Sequence, residues 1–292
     1  MEATDRSSAG RPPRPRPSRS RSKDERHVTV AQLFEEFLAF SEARGRSPTT
    51  LHAYRIAIEG FWLPRIGKME IGELTAHALD TIYAGMLTRD RPAAPSTVRK
   101  YHAILSAALA QAVKWQWIPV NPARLATLPD AQHADPDAPT PEQVRALIAE
   151  CSSESEVLGM FVLVAAVTGC RRGELAALRW SDYCDKVLRI HGSAYNVGRK
   201  KGIKPTKTGR QRRIVVGSHL ELALQRWKSR CEAIAGDVGA SFGPECLIFS
   251  STPDGLGPIN INTATSVFRR VATRLGLASI HLTHSATSQR HN

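Results

Sequence analysis

The sequence has no apolar run approaching the ~20 residues that a helical membrane span needs, so no such span is expected. No apolar stretch follows the charged opening residues, which argues against a secretory signal and for a cytoplasmic protein. The five cysteines, Cys151, Cys170, Cys184, Cys231 and Cys246, include no Cys-x-x-Cys pair. That spacing disfavours structural zinc and fits reduced thiols in the cytosol. No Gly-x-x-x-x-Gly-Lys-Ser/Thr loop is present to cradle a nucleotide phosphate. Acidic residues are scarce: 27 Asp and Glu stand against 40 Lys and Arg, a formal net charge of +13 over 292 residues. An excess of this size, clustered rather than spread, favours a polyanionic partner.

Taken in order, residues 1–27 centre on Arg11-Pro12-Pro13-Arg14-Pro15-Arg16-Pro17 and hold almost nothing to bury, so a disordered basic tail is expected. At Thr29-Val30-Ala31-Gln32 a capping box opens a helix whose Val30, Leu33, Phe34, Phe37 and Leu38 keep helical spacing. Ser47-Pro48 starts a second helix through Leu51, Tyr54, Ile58 and Phe61. Thr75 caps a third, with Leu79, Ile82 and Met86 inward. The fourth runs from about Ser96 with Val98, Tyr101, Leu105, Ala108, Leu109 and Ala112 as its stripe. Residues 28–125 thus read as an all-α bundle, ended by Asn121-Pro122. Residues 126–138 read as a linker from their Pro, Asp and Ala content. A second domain, 139–292, opens at the capping box Thr140-Pro141-Glu142-Gln143.

Within that domain, Val157 to Val167 is almost wholly apolar and predicts a buried helix, closed by Gly169 in the left-handed region. Leu175 and Leu178 then mark a further amphipathic turn, with Arg171 at the break. An arginine fixed there by a core is costly unless it meets an anion, and its planar fork suits phosphate. Glu174 stands three residues on and is placed to hold it; the plainer alternative is a structural ion pair. Val187 to Ile190 and Arg212 to Val216 read as short strands. The long connection from Asn196 to Arg213 carries eight Lys or Arg and no acid, a mobile basic loop suited to DNA contact through Arg199, Lys200, Lys201, Lys204 and Arg212. Ser218-His219-Leu220-Glu221 reads as another capping box, its helix ending at Gly236. Cys246 to Ser250 is expected to be extended, and Asn262 to cap a last helix that stops at Gly276.

Thr168-Gly169-Cys170-Arg171-Arg172-Gly173-Glu174-Leu175, followed by Ala177-Leu178-Arg179-Trp180-Ser181-Asp182, resembles the first box of the tyrosine recombinases, the phage-integrase family. The resemblance implies that Arg171 contacts the scissile phosphate and that Glu174 supports it. Lys207-Thr208 ahead of Arg212-Arg213-Ile214 is similar to the family's hairpin, whose lysine protonates the leaving 5′-oxygen; the resemblance assigns that role to Lys207, with Lys204 and Lys201 as fallbacks. The preceding bundle is similar in position and pattern to the family's core-binding domain. The implied partners are double-stranded DNA at recombination sites and other recombinase protomers in a synaptic complex. No metal and no cofactor are implied, since the broken bond's energy is kept in a phosphotyrosyl link.

The second box departs from the family's His-x-Leu-Arg-His. The chain reads Ile280-His281-Leu282-Thr283-His284: aligned on the second histidine, Thr283 stands where the arginine belongs, and aligned on the first, His281 (alternatively His284) takes the box histidine's place and no arginine lies three residues further on. No tyrosine follows Tyr195, so the nucleophile is absent from these residues. A metal site on His281, His284 and His291 is the weaker account of this stretch. The expected fold is mainly α (α+β): an all-α core-binding bundle, then a truncated tyrosine-recombinase catalytic domain with a small β-hairpin. The expected function is DNA recombination and integration by descent from a mobile element, with DNA binding retained and cleavage lost. The alternative is a non-catalytic DNA-binding protein occupying recombination sites. A type IB topoisomerase relative shares the chemistry, but the short helical first domain favours integrase.

Overall fold

A computed structural model describes residues 27–130, 138–198, 200–205 and 211–282, leaving aside the side chains of Lys200 and Pro205. The basic tail, most of the linker, Arg199, Lys207 and His284 lie outside the described residues. The chain groups into two compact units, one of residues 1–43 and 55–130 and the other of residues 44–54 and 131–292.

In the first unit, Thr29 and Gln32 exchange bonds before helix α1 (Val30–Ala43): Gln32 N–H donates to Thr29 Oγ1 at 3.2 Å, and Thr29 N–H to Gln32 Oε1 at 2.8 Å. The second helix does not run as one. Helix α2 (Pro48–Ala57), whose residues up to Tyr54 belong to the second unit, passes into a π-helical segment (Ile58–Trp62) and then α3 (Leu63–Ile66). Pro64 lacks the N–H that an α-turn requires and crowds the carbonyl four residues back, so the turn ahead of it widens. The widening puts Ile58, Phe61 and Trp62 all in the core. Helix α4 (Ala76–Thr88) is capped as expected, Ala78 N–H donating to Thr75 Oγ1. It buries Leu79, Tyr83 and Met86, whereas Ile82 is only half-buried. Tyr83 is drawn inward because its ring packs edge-on to Trp62 and its hydroxyl bonds His102 Nδ1 at 3.0 Å. Helix α5 (Pro95–Lys114) completes the core with Val98, Ile104, Leu105, Ala108, Leu109 and Ala112.

The second unit opens with α6 (Pro141–Glu154), whose Thr140–Gln143 capping box is complete. Helix α7 (Glu156–Thr168) buries most of its residues, among them Leu158, Phe161, Val162, Val164 and Ala165, and Phe161 packs edge-on to Phe249. After the single-turn helix α8 (Arg172–Leu175), strands β1 (Tyr183–Cys184) and β2 (Val187–Ile190) begin an antiparallel sheet. The connection expected to be a loop contains a second sheet, the hairpin β3 (Gly192–Val197) and β4 (Lys200–Pro205), in register Tyr195 to Gly202 and Asn196 to Lys201. Gly198, with φ +57°, supplies the turn between them. Strand β5 (Arg212–Val215) closes onto β2, one residue shorter than expected.

Helix α9 (Ser218–Asp237) is not opened by a capping box. Gly217 is its cap, and Ser218 has already entered the helix, where its hydroxyl cannot reach back to a free N–H. Gly236 lies inside this helix, and the left-handed residue beyond it is Gly239. Cys246 to Ser250 is not a strand but a buried stretch with isolated bridges from Leu247 to Arg179 and from Ser250 to Pro258. Helix α10 (Ile261–Arg274) is capped by Asn260, not Asn262: Asn260 Oδ1 accepts from Asn262 N–H at 3.0 Å and Thr263 N–H at 3.2 Å. Gly276, φ +73°, ends it as expected.

Candidate functional site

Arg171 owes its position to the end of α7. Gly169 takes φ +64°, a conformation that would strain any residue with a Cβ, and its N–H donates to Ala165 O. The chain turns there, Thr168 Oγ1 accepts from Cys170 N–H at 3.3 Å, and Arg171 follows in extended conformation as the cap of α8. Gly173 lets β3 approach this turn closely, since an added Cβ would sit 2.5 Å from Ser193 Oγ and 2.9 Å from Ala194 O.

Glu174 is the centre of the arrangement. Its side chain is 4% exposed, and a carboxylate so buried must be bonded or neutralised. Three donors meet it: Arg171 N–H on Oε2 at 2.9 Å, Arg171 Nη1 on Oε1 at 2.9 Å and Arg212 Nη2 on Oε2 at 2.6 Å. The Arg171 side chain remains 60% exposed. Its guanidinium is therefore held from behind and open in front, the disposition needed to meet an anion. Cys170 lies buried behind this group; burial raises its thiol's pKa, while the Thr168 hydroxyl and the Arg212 guanidinium pull it the other way.

In front of Arg171 lies a cleft of about 310 Å³ whose lining includes Arg172, Tyr195, Asn196, Lys204 and Asn262. Lys204 Nζ donates to Thr49 Oγ1 at 2.8 Å and stands 5.8 Å from the centre of the Tyr195 ring. A second cleft of about 190 Å³ is lined by Arg172, Thr265, Phe268, Arg269, Ile280, His281 and Leu282. Ile280 and Leu282 are buried and leave His281 between them exposed.

Arg171, Glu174 and Arg212 thus form one bonded cluster, and Lys204 lines the same cleft as Arg171. His281 lines the neighbouring one. Lys201 is exposed on β4, and Lys200 sits at that strand's start. Arg212, expected to reach DNA, bonds Glu174 and keeps its side chain 41% exposed. Sequence reasoning passed over Arg172, although it adjoins Arg171, and Thr265, whose hydroxyl accepts from Arg172 Nη1 at 2.8 Å. The first was legible as a second arginine in the same turn. Nothing in the spacing pointed to the second, 93 residues away.

A buried helix ending on an arginine turn, a basic hairpin and a closing helix that returns to the same turn together have the architecture of a tyrosine-recombinase catalytic domain. Solved structures share it. A lambda integrase tetramer bound to a Holliday junction superposes with a TM-score of 0.65 at 19% identity, over 88% of this chain and 68% of that one. The Tn1549 transposon integrase in complex with transposon right end DNA gives 0.70 at 17% identity, over 88% and 83%. The profile of the phage integrase family matches residues 139–291, and the chain belongs to that family. The ICEBs1 integrase of Bacillus subtilis (strain 168) is 29% identical over 113 residues, 37% of this chain. That match spans 30% of the relative's own length.

Proposed function

We propose that this chain binds double-stranded DNA at recombination sites as a site-specific recombinase of the tyrosine-integrase type, in company with other recombinase protomers. The observation that carries the reading is the Arg171 guanidinium, anchored by a buried carboxylate and open to a basic cleft in a chain of this family. Arg171 takes the central phosphate and Glu174 holds it. Lys207 is the proton donor to the leaving 5′-oxygen, and His281, or His284 in its place, is the box histidine. Arg199, Lys200, Lys201, Lys204 and Arg212 add phosphate contacts, and Arg212 also steadies Glu174. Residues 28–125 serve as the core-binding domain, 126–138 as its linker and 139–292 as the catalytic domain. The proposed place of work is the cytoplasm, where a recombinase meets the DNA it acts on.

A second box with no arginine in place in either alignment favours a second reading for these 292 residues: occupancy of a recombination site without strand cleavage. Losing one donor to the developing charge costs roughly 10²–10³ in rate, and residues 196–292 hold no tyrosine to act as a nucleophile.

Fluorescence anisotropy with a labelled duplex tests the binding reading. Arg171→Ala is expected to weaken binding about tenfold or more, the scale of one charge-assisted hydrogen bond, and Lys207→Ala to leave it nearly unchanged. Negligible losses at both positions would remove the site assignment. On a nicked suicide substrate the 292-residue chain alone is expected to leave no covalent protein–DNA species; its appearance would reject the second reading.

A further inference from the structure

Arg172 is half-buried between the two clefts and lines both. Its Nη1 is fixed by the Thr265 hydroxyl at 2.8 Å, and that hydroxyl in turn donates to Ile261 O at 2.6 Å. The anchor is therefore neutral. Among the described residues no carboxylate forms an ion pair with Arg172, and none pairs with Arg269 across the smaller cleft. The contrast with the same helix is instructive: Arg270 and Arg274 of α10 pair with Glu154 and Glu150 at 2.8 and 2.7 Å. The wall of the smaller cleft holds Arg172, Arg269 and His281 and no acid at all. A half-buried guanidinium oriented by a hydroxyl, uncompensated by charge and facing a space of about 190 Å³, has the chemistry of an anion site.

We propose that Arg172, with Arg269 and His281, forms a second phosphate-binding site beside the Arg171 cleft, taking a phosphodiester group of the same DNA. The inference rests on the DNA-binding reading above. It places a second guanidinium next to the central phosphate from the first box itself, in a chain whose second box has no arginine in place in either alignment. Thr265 is a positioning residue, since it acts through Arg172.

The test is the salt dependence of binding of the whole 292-residue chain to a labelled duplex of arbitrary sequence, followed by anisotropy. Each phosphate contact contributes about 0.9 to the slope of log K against log salt concentration. Arg172→Gln is expected to flatten the slope by about that amount, as Arg171→Ala does, whereas Arg270→Gln, taken from a carboxylate pair, leaves it unchanged. A slope at Arg172→Gln equal to the parent's, with Arg171→Ala still flattening it, overturns this site and leaves the function standing. A parent protein with no affinity for duplex DNA overturns both. Should Arg172→Gln fail to melt cooperatively, Arg269→Gln decides by the same slope, because its exposed side chain has no packing role to lose.

Discussion

Replacing Glu174 by glutamine sets two electrostatic arguments against each other. The substitution keeps the side chain's shape and removes its charge. Oε2 accepts from Arg171 N–H and from Arg212 Nη2, and Oε1 from Arg171 Nη1. A glutamine has one accepting oxygen, so its amide nitrogen must face at least one of these donors. The least costly orientation keeps the oxygen at the doubly bonded position and turns the amide against Arg171 Nη1. An unpaired donor of this kind costs about 1–3 kcal/mol. The Arg171 and Arg212 side chains are 60% and 41% exposed, so water recovers part of the loss and about 1–2 kcal/mol is expected. For a chain of this size that is roughly a 2–8 °C fall in Tm. The effect on DNA separates charge from geometry. The site becomes more positive, and Coulomb attraction alone predicts tighter binding. Orientation predicts the reverse, because an unanchored Arg171 must lose side-chain freedom on meeting the phosphate, a cost of up to about 2 kcal/mol. An affinity fall of about three- to tenfold is expected, the equivalent of roughly 1 kcal/mol, read by anisotropy alongside a thermal melt. An unchanged Tm with tighter binding would refute the account. A double-mutant cycle adds a check: Arg212→Gln should weaken binding in the parent and have little further effect beside Glu174→Gln.

Three further outcomes follow from local structure. Gly169→Ala forces a Cβ into φ +64° and is expected to cost about 1–2 kcal/mol in a denaturant melt, whereas no loss would mean the turn re-forms in another conformation. Iodoacetamide at mildly alkaline pH should label exposed Cys184 first. Cys151 and Cys231, whose thiols burial raises to about 11 and about 12, should stay unlabelled until denaturant is added. Equal rates by mass spectrometry would contradict their burial. His102 is held below its ordinary value of 6.5 by burial and then by the Arg99 charge. The unfolded chain therefore takes up the proton first, so this contribution to stability is full above pH 6.5 and declines as pH falls toward the lower folded value. The acid-side decline in Tm should be smaller in His102→Gln, and an identical decline would remove His102 as its source.

The features legible in the sequence were those whose physics is local. Thr29, Thr75 and Thr140 each cap a helix as expected, because a hydroxyl before an apolar-periodic run has few better partners than the free N–H groups beside it. Gly169 and Gly276 end helices for a similarly local reason. What stayed hidden depends on partners far along the chain. The β3–β4 hairpin lacks the alternation of apolar and polar residues that marks a strand, since Lys200, Lys201 and Lys204 occupy β4, and its pairing only becomes visible once β3 is seated against Gly173. Ser218 and Asn262 each stand one or two positions from the true cap, an error that capping chemistry permits because Asn260 is as good a choice as Asn262 by type and glycine is itself a tolerated cap. Of the site, Arg171 and Glu174 were readable from a three-residue spacing. The Arg172–Thr265 bond joins α8 to α10 across the fold, and no spacing rule reaches that far.

Arg212 shows how a block of like charges divides its labour. All eight cations between Asn196 and Arg213 look equivalent in sequence, but alternation along β5 puts Arg212 on the same face as half-buried Ile214, and Arg213 on the other. Facing inward, Arg212 meets Glu174. Two guanidinium groups and one carboxylate leave the cluster with a net single positive charge, so a phosphate still finds attraction there. Burial of that carboxylate is what makes the arrangement work. At 4% exposure, Glu174 reaches both arginines from the core side, whereas a carboxylate in the cleft would stand in the phosphate's path and repel it. A surface aspartate or glutamate engineered beside Arg171 would therefore not substitute for Glu174, and in Glu174→Gln it should lower DNA affinity further instead of restoring it.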